Sequence, residues 1–141
     1  ALSVEEDLRA EVGARGLEDR VIFAGRQDAV ESYLRASDLF VFPSIFEALG
    51  ISLVEAAACG LPAVASRTGG IVDVVEDGQS GFLVTPGQAR ELASGLASLV
   101  RDASRREAMG DRAREVTLAH FDERDAALRY RALFRQVSAR R

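Results

Sequence analysis

Apolar positions along this chain follow two rhythms. Up to about residue 86, short unbroken apolar runs alternate with stretches at helical spacing; beyond it only the helical spacing continues. The unbroken runs are Val21-Ile-Phe-Ala24, Leu39-Phe-Val-Phe42, Ala63-Val-Ala65 and Phe82-Leu-Val84. Gly25 closes the first and Pro43-Ser44 the second. Apolar runs without polar alternation predict strands buried on both faces.

The intervening stretches predict helices. Ser3-Val-Glu-Glu6 has capping-box spacing, Leu8 and Val12 follow on one face, and Gly13 and Gly16 weaken and end the run. Asp28 to Ser37 is predicted helical, with Asp28 and Glu31 again at capping-box spacing. So are Gly50 to Ala58, with Gly60 at its end and Pro62 beyond, and a short Ile71 to Glu76 after the turn Thr68-Gly69-Gly70. Asp77-Gly78 and Gly81 frame a turn into the fourth strand. After Pro86 three helices are expected, at about Gln88 to Val100, Ser104 to Ala119 and Asp122 to Ala139, with Ser104 and Glu107 as another capping box.

Strands alternating with helices predict an α/β fold: a Rossmann-like parallel sheet with helices on both faces, followed by a helical C-terminal tail. The βα core spans about residues 1–86 and the tail 87–141. In such sheets the ligand crevice lies beyond the carboxyl ends of the strands. The loops after Phe42 and after Ala65 both open there.

Composition narrows the classes. At 141 residues the chain is one domain or part of one, and its formal charge is −4. All 18 basic residues are arginine, and they alternate with acids along the helices, so there is no footprint for nucleic acid. The single cysteine, Cys59, has no disulfide partner in the chain, which points to a reducing, cytoplasmic setting. No window is long and apolar enough to span a bilayer, so membrane association is at most peripheral. The chain starts on Ala1, which is expected of a piece of a longer protein.

The segment Phe42 to Ser66 carries the candidate chemistry. Glu47 falls in a loop and Glu55 eight residues later in a helix. The first amides of that helix point outward unpaired, with partial positive charge. Gly50 lets a ligand approach the backbone, and Ser52 adds a hydroxyl, which together suit a diphosphate. Glu47 is placed to accept hydrogen bonds from hydroxyls on an attached group. Glu55, leaning back toward the helix start, could accept both hydroxyls of a ribose. The opposing reading makes Glu47 a solvated loop acid and Glu55 a surface position. Against it, the helix is apolar on nearly every side, so it is expected to be buried, and a glutamate in it needs a partner.

These residues also form a familiar series. Pro43-Ser44, Glu47, Gly50, Glu55-Ala56, Cys59-Gly60, Pro62, Val64-Ala65-Ser66 and Gly69-Gly70 closely resemble the retaining glycosyltransferases of the family-4 type (glycosyl transferases group 1). Asp77-Gly78, Gly81-Phe-Leu-Val84-Thr-Pro86 and the helices around Met109 and Phe121 match as well. The resemblance implies a GT-B enzyme, with two Rossmann-like domains and the active site between them. This chain resembles most of the C-terminal, donor-nucleotide domain. The resemblance implies that Glu47 contacts hydroxyls of the transferred sugar and is the catalytic residue of this half. It also implies that Glu55 contacts the ribose, and that the amides around Leu49, Gly50, Ile51 and Ser52 serve the diphosphate. It implies a nucleotide-diphosphate sugar as donor, no metal or other cofactor, and transfer with retention. Arg26 and Arg67 are further candidates for the phosphate.

The chain departs from the family pattern in four places. Ala48 and Leu49 stand where the family usually has Gly and an aromatic, which tightens the loop and bears on donor preference. Asp73 stands where a Glu is usual. The family's donor domain begins with two further strands, and the Arg and Lys that neutralise the diphosphate follow the first of them; neither strand is present. The N-terminal acceptor domain is not present either. In the family's 3-2-1-4-5-6 strand order, the strand near Val21 and the strand near Phe42 are then separated by a gap two strands wide. This chain alone is therefore expected not to catalyse.

Other residues read more plainly. Cys59 is a small core residue rather than a nucleophile, and His120 is structural. Leu128, Tyr130, Leu133, Phe134 and Val137 share one face of the last helix, part of which is expected to be exposed. The alternatives are a sugar-nucleotide epimerase or phosphorylase of the same architecture, and a non-catalytic nucleotide-binding module. A lysine-bound pyridoxal phosphate, common in such phosphorylases, has no lysine to hold it here. A nucleotide module would carry a Gly-x-Gly-x-x-Gly turn after the first strand, and none is present.

Overall fold

The structure is a computed structural model and describes residues 4–138. The capping box expected at Ser3 and the helix end expected at Ala139 lie outside the described residues. The chain divides between Val30 and Glu31 into two compact units.

The first unit holds helix α1, Val4–Ala14. Pairs four residues apart, Arg9 with Glu5 and Arg15 with Glu11, run along its surface. The Arg9 guanidinium stacks over the Phe23 ring, 4.2 Å from its centroid. Residues 21–24, expected as a strand, form none, and Ile22 is 88% exposed. A strand is a pairing before it is a propensity: its N–H and C=O groups need a neighbour. The described sheet contains no ladder that includes 21–24, so the apolar run stays irregular.

The second unit holds the sheet. Helix α2, Val30–Arg35, starts two residues after the expected Asp28 cap and leads to strand β1, Phe40–Phe42. Helix α3 is Ile51–Ala58, strand β2 Ala63–Ser66, helix α4 Ile71–Val74 and strand β3 Gly81–Val84. The strands are parallel in the order β1-β2-β3, with Phe40 opposite Ala63 and Ala63 opposite Gly81. Helices α5, Ala89–Arg101, α6, Ala103–His120, and α7, Glu123–Ser138, complete the tail.

Strand β2 is buried at every residue. Ala63 and Ala65 face Leu53 of α3 and Ile71 and Val74 of α4. Val64, pointing the other way, meets Val84, Leu99 of α5 and Met109 of α6. Helices therefore cover both faces, as a parallel sheet requires.

Helix α3 ends as the sequence predicts. The Gly60 N–H donates to Ala57 and the Leu61 N–H to Ala56, a Schellman motif followed by Pro62. Its exposure differs from expectation. Leu53, Ala56 and Ala57 are buried, but Ile51 and Glu55, four residues apart, share an exposed face. The core reaches only one side of this helix, so Glu55 is not a buried acid in need of a partner. The cap of α6 also differs: Asp102 accepts from the Arg105 N–H at 2.9 Å, not Ser104. The helix begins at Ala103, which already places Ser104 inside it.

Helix α6 crosses the end of α3 closely. A Cβ on Gly110 would stand 2.2 Å from the Gly60 carbonyl oxygen. Arg114 of α6 donates to the Ala58 carbonyl, which the end of α3 leaves unpaired. Arg112 forms two bonds to Glu76, 2.7 and 2.9 Å, and one to Glu115, 2.6 Å. The Arg112 hydrogen bonds hold the Glu76 carboxyl below its ordinary value, and the Glu76 and Glu115 bonds push Arg112 up. Along α7 the face of Leu128, Tyr130, Leu133, Phe134 and Val137 is exposed, as anticipated for part of it.

Gly110→Ala is expected to destabilise the fold by about 1–3 kcal/mol. On an open helix surface the same change would stabilise by about 1 kcal/mol. The urea midpoint of the variant decides the sign.

Candidate functional site

The site begins where β1 stops. Pro43 has no N–H to continue a ladder, and the chain turns into a loop over residues 43–49. Gly50 ends the loop in the left-handed region, φ 83°. A side chain there would be strained and would also meet the Phe42 ring, 2.9 Å from a Cβ. The Gly50 carbonyl then accepts from the Leu53 and Val54 amides and launches α3. No side chain caps this helix start.

The loop is held from the neighbouring strand. After β2 the chain passes through Thr68, Gly69 and Gly70. The Thr68 hydroxyl reaches the Ile45 carbonyl at 3.4 Å, and the Gly70 N–H donates to the Ala48 carbonyl at 2.9 Å. A Cβ on Gly69 would stand 1.7 Å from the Glu47 carbonyl oxygen, and one on Gly70 2.3 Å from that of Ala48. Two backbones meet with no room for a side chain. The Gly-Gly pair marked a turn in the sequence; that it sets the backbone of Glu47 is a contact the sequence did not reveal.

Glu47 is half-buried, and its Oε1 accepts from the Ala48 N–H at 3.0 Å. Its Cγ lies 3.5 Å from where a Gly50 Cβ would stand, so the carboxylate is beside the helix start. Glu55 is exposed one turn into α3, on the face of Ile51, and helical side chains lean toward the amino end. No side chain of the described residues pairs with it. Leu49 is 37% and Ile51 70% exposed, and Ser52 is partly so. The structure thus brings Glu47, Leu49, Gly50, Ile51, Ser52 and Glu55 together at the carboxyl edge of the sheet.

Arg67 stands at the end of β2, and its guanidinium pairs with Asp77. The other Asp77 oxygen accepts from the Leu83 N–H at 3.0 Å, closing the outer edge of β3. That bond, then Arg67, holds the Asp77 carboxyl below its ordinary value against the opposing effect of burial. Arg26 belongs to the first unit, where it is exposed. Cys59 follows the far end of α3, and His120 ends α6, exposed. Among the described residues no three His, Cys, Asp or Glu side chains gather as metal ligands.

Residues 3–116 match the family described as glycosyl transferases group 1. The chain belongs to that family, and its fold is the Rossmann-like α/β fold of the family's GT-B members. It is similar to N-acetyl-alpha-D-glucosaminyl L-malate synthase of Bacillus anthracis, 36% identical over 86% of this chain and 32% of that protein. Among solved structures it is similar to sucrose-phosphate synthase of Thermosynechococcus elongatus, 33% identical, TM-score 0.90, over 96% of this chain and 35% of that one. It is also similar to Anabaena HepE in complex with UDP-glucose, 30% identical, TM-score 0.84, over 95% and 36%. The chain spans about a third of the length of these relatives. The resemblance read from Pro43 to Gly70 is borne out for family and fold.

Two outcomes test this geometry. Gly69→Ala is expected to cost about 2–4 kcal/mol, from left-handed strain and the clash with Glu47, and to move the amide resonances of residues 45–50. Denaturant unfolding and an amide spectrum check both. Asp77 is held below its ordinary value, so its contribution to stability is complete above about pH 4 and is lost as pH falls through the lowered value. The Asp77→Asn variant should therefore lose less stability than the parent below about pH 4. Because the ion pair is half exposed and screened, the variant should be weaker at pH 7 by about 1 kcal/mol or less. Unfolding at a series of pH values reads both effects.

Proposed function

We propose that this chain is the donor-binding half of a retaining, family-4-type glycosyltransferase that moves a sugar from a nucleotide diphosphate to an acceptor hydroxyl. The observation that carries the proposal is the uncapped start of α3, with the Glu47 side chain beside Gly50 and Glu55 exposed one turn into the helix. The outward amides of Ile51 and Ser52, approached over the bare backbone of Gly50, meet the diphosphate. Glu55 accepts the two ribose hydroxyls. Glu47, fixed through its backbone by Gly69, accepts hydroxyls of the sugar beside the bond that breaks. Charge growing on the leaving diphosphate is met by donors already in place, which is worth most where water is excluded. Leu49 shapes the loop at that point, and Arg67 remains a further phosphate candidate. Arg67 would first have to share its guanidinium with Asp77.

The HepE structure holding UDP-glucose supports a nucleotide sugar as the ligand class. The share of the relatives' length covered supports a further domain of the same protein as the partner that brings the acceptor. The scheme uses no metal: the helix start supplies the positive end. No helix of the described residues is long and apolar enough to cross a membrane. A cytoplasmic setting with at most peripheral membrane contact fits the unpaired Cys59.

Calorimetric titration of this chain with UDP, GDP and ADP tests the reading. One nucleotide should bind, and Glu55→Ala should weaken it about 10- to 100-fold through lost charge-assisted hydrogen bonds. Glu47→Gln should leave nucleotide affinity nearly unchanged while weakening the matching nucleotide sugar. Affinities indifferent to both acids would mean a nucleotide module without a sugar site.

A further inference from the structure

A second hollow opens at the same edge of the sheet. It lies at the carboxyl ends of all three strands, marked by Pro43 after β1, Ser66 of β2 and Val84 of β3. Thr85, Gln88 and Leu92 complete its wall. About 150 Å³ inside it is open to water-sized groups. One ordered water needs only about 10–15 Å³, so a single water does not fill the space.

Its floor carries a polar side chain. Ser66 is 2% exposed and lines the hollow. At the rim, Thr85 and Gln88 are exposed. Gln88 precedes α5, a helix of 13 residues whose start no side chain caps.

The lining defines the ligand. Val84, Leu92 and Pro43 offer an apolar wall, and Ser66, Thr85 and Gln88 offer groups that both donate and accept. None of these six is charged. The nearby Glu91 carboxylate already accepts from the Thr85 N–H at 2.8 Å, which opposes an anion at this helix start. An apolar face with hydroxyls at its margin is the chemistry of a sugar ring or polyol.

The hollow is distinct from the donor site. Helix α3, with Glu55, packs on the Ala63 and Ala65 face of the sheet, and α5 packs on the Val64 face. The Ile45 side chain comes within 3.9 Å of where a Gly87 Cβ would stand, so the rim touches the loop that carries Glu47. We propose that this hollow is a binding site for a small neutral polyhydroxy ligand, held by Ser66, Thr85 and Gln88.

Amide NMR of this chain titrated with D-glucose, and separately with inorganic phosphate, tests the proposal. Glucose should give saturable shifts at Ser66, Thr85 and Gln88, and phosphate none. Ser66→Ala and Thr85→Val, the second nearly isosteric, should each weaken glucose binding about three- to tenfold. Three results would overturn the proposal: no saturable response to glucose, a response to phosphate in its place, or a glucose response untouched by both variants. A UDP titration read at Gly50 to Glu55 reports on the donor site alone, so either reading can fail without the other.

Discussion

Strand β2 meets water on neither face and at neither edge. It is hydrogen-bonded to β1 and β3, with α3 and α4 packed on its alanines and α5 on its valine. That single constraint orders the second unit. Ala63 and Ala65 are small enough to let α3 and α4 approach on one side, and burial of Val64, Leu99 and Met109 holds the tail on the other. A strand so enclosed is rigid, and the loops that leave its carboxyl end inherit that rigidity.

The candidate donor site depends on this inheritance. Residues 68–70 leave β2 and press their backbone against the backbone of residues 45–48. A carboxylate on a free loop would sample many positions, and ordering it on binding would weaken a ligand. Here the central strand sets the position of Glu47 through two glycines. The start of α3 is fixed by the same core through Leu53, which is wholly buried. The parts of the site that must be precise are therefore attached to the best-packed part of the fold, while Ile51 and Glu55 stay open to a ligand.

The network around α6 performs a different task. Arg112 and Arg114 tie α6 to Glu76 and to the Ala58 carbonyl at the end of α3. They lie away from the carboxyl edge and bear on how the tail is anchored. The apolar face of helix α7 is exposed.

Much was legible in the sequence because it is encoded locally. Gly60 and Pro62 announce the end of α3, the unbroken run Ala63 to Ala65 announces a doubly covered strand, and Glu47, Gly50 and Glu55 stand in order around one helix start. Spacing and residue type suffice for such features, since the chemistry depends on neighbours within a few residues. Three features were decided by tertiary structure alone. Residues 21–24 are as apolar as a strand but pair with none, because a ladder needs a partner that local sequence cannot supply. Glu55 sits in an apolar helix yet faces outward, because which side meets the core depends on where the sheet lies. The contacts of Gly69 with Glu47 and of Gly110 with Gly60 join backbones 22 and 50 residues apart. Composition shows that a glycine is present; only the assembled fold shows which carbonyl it makes room for.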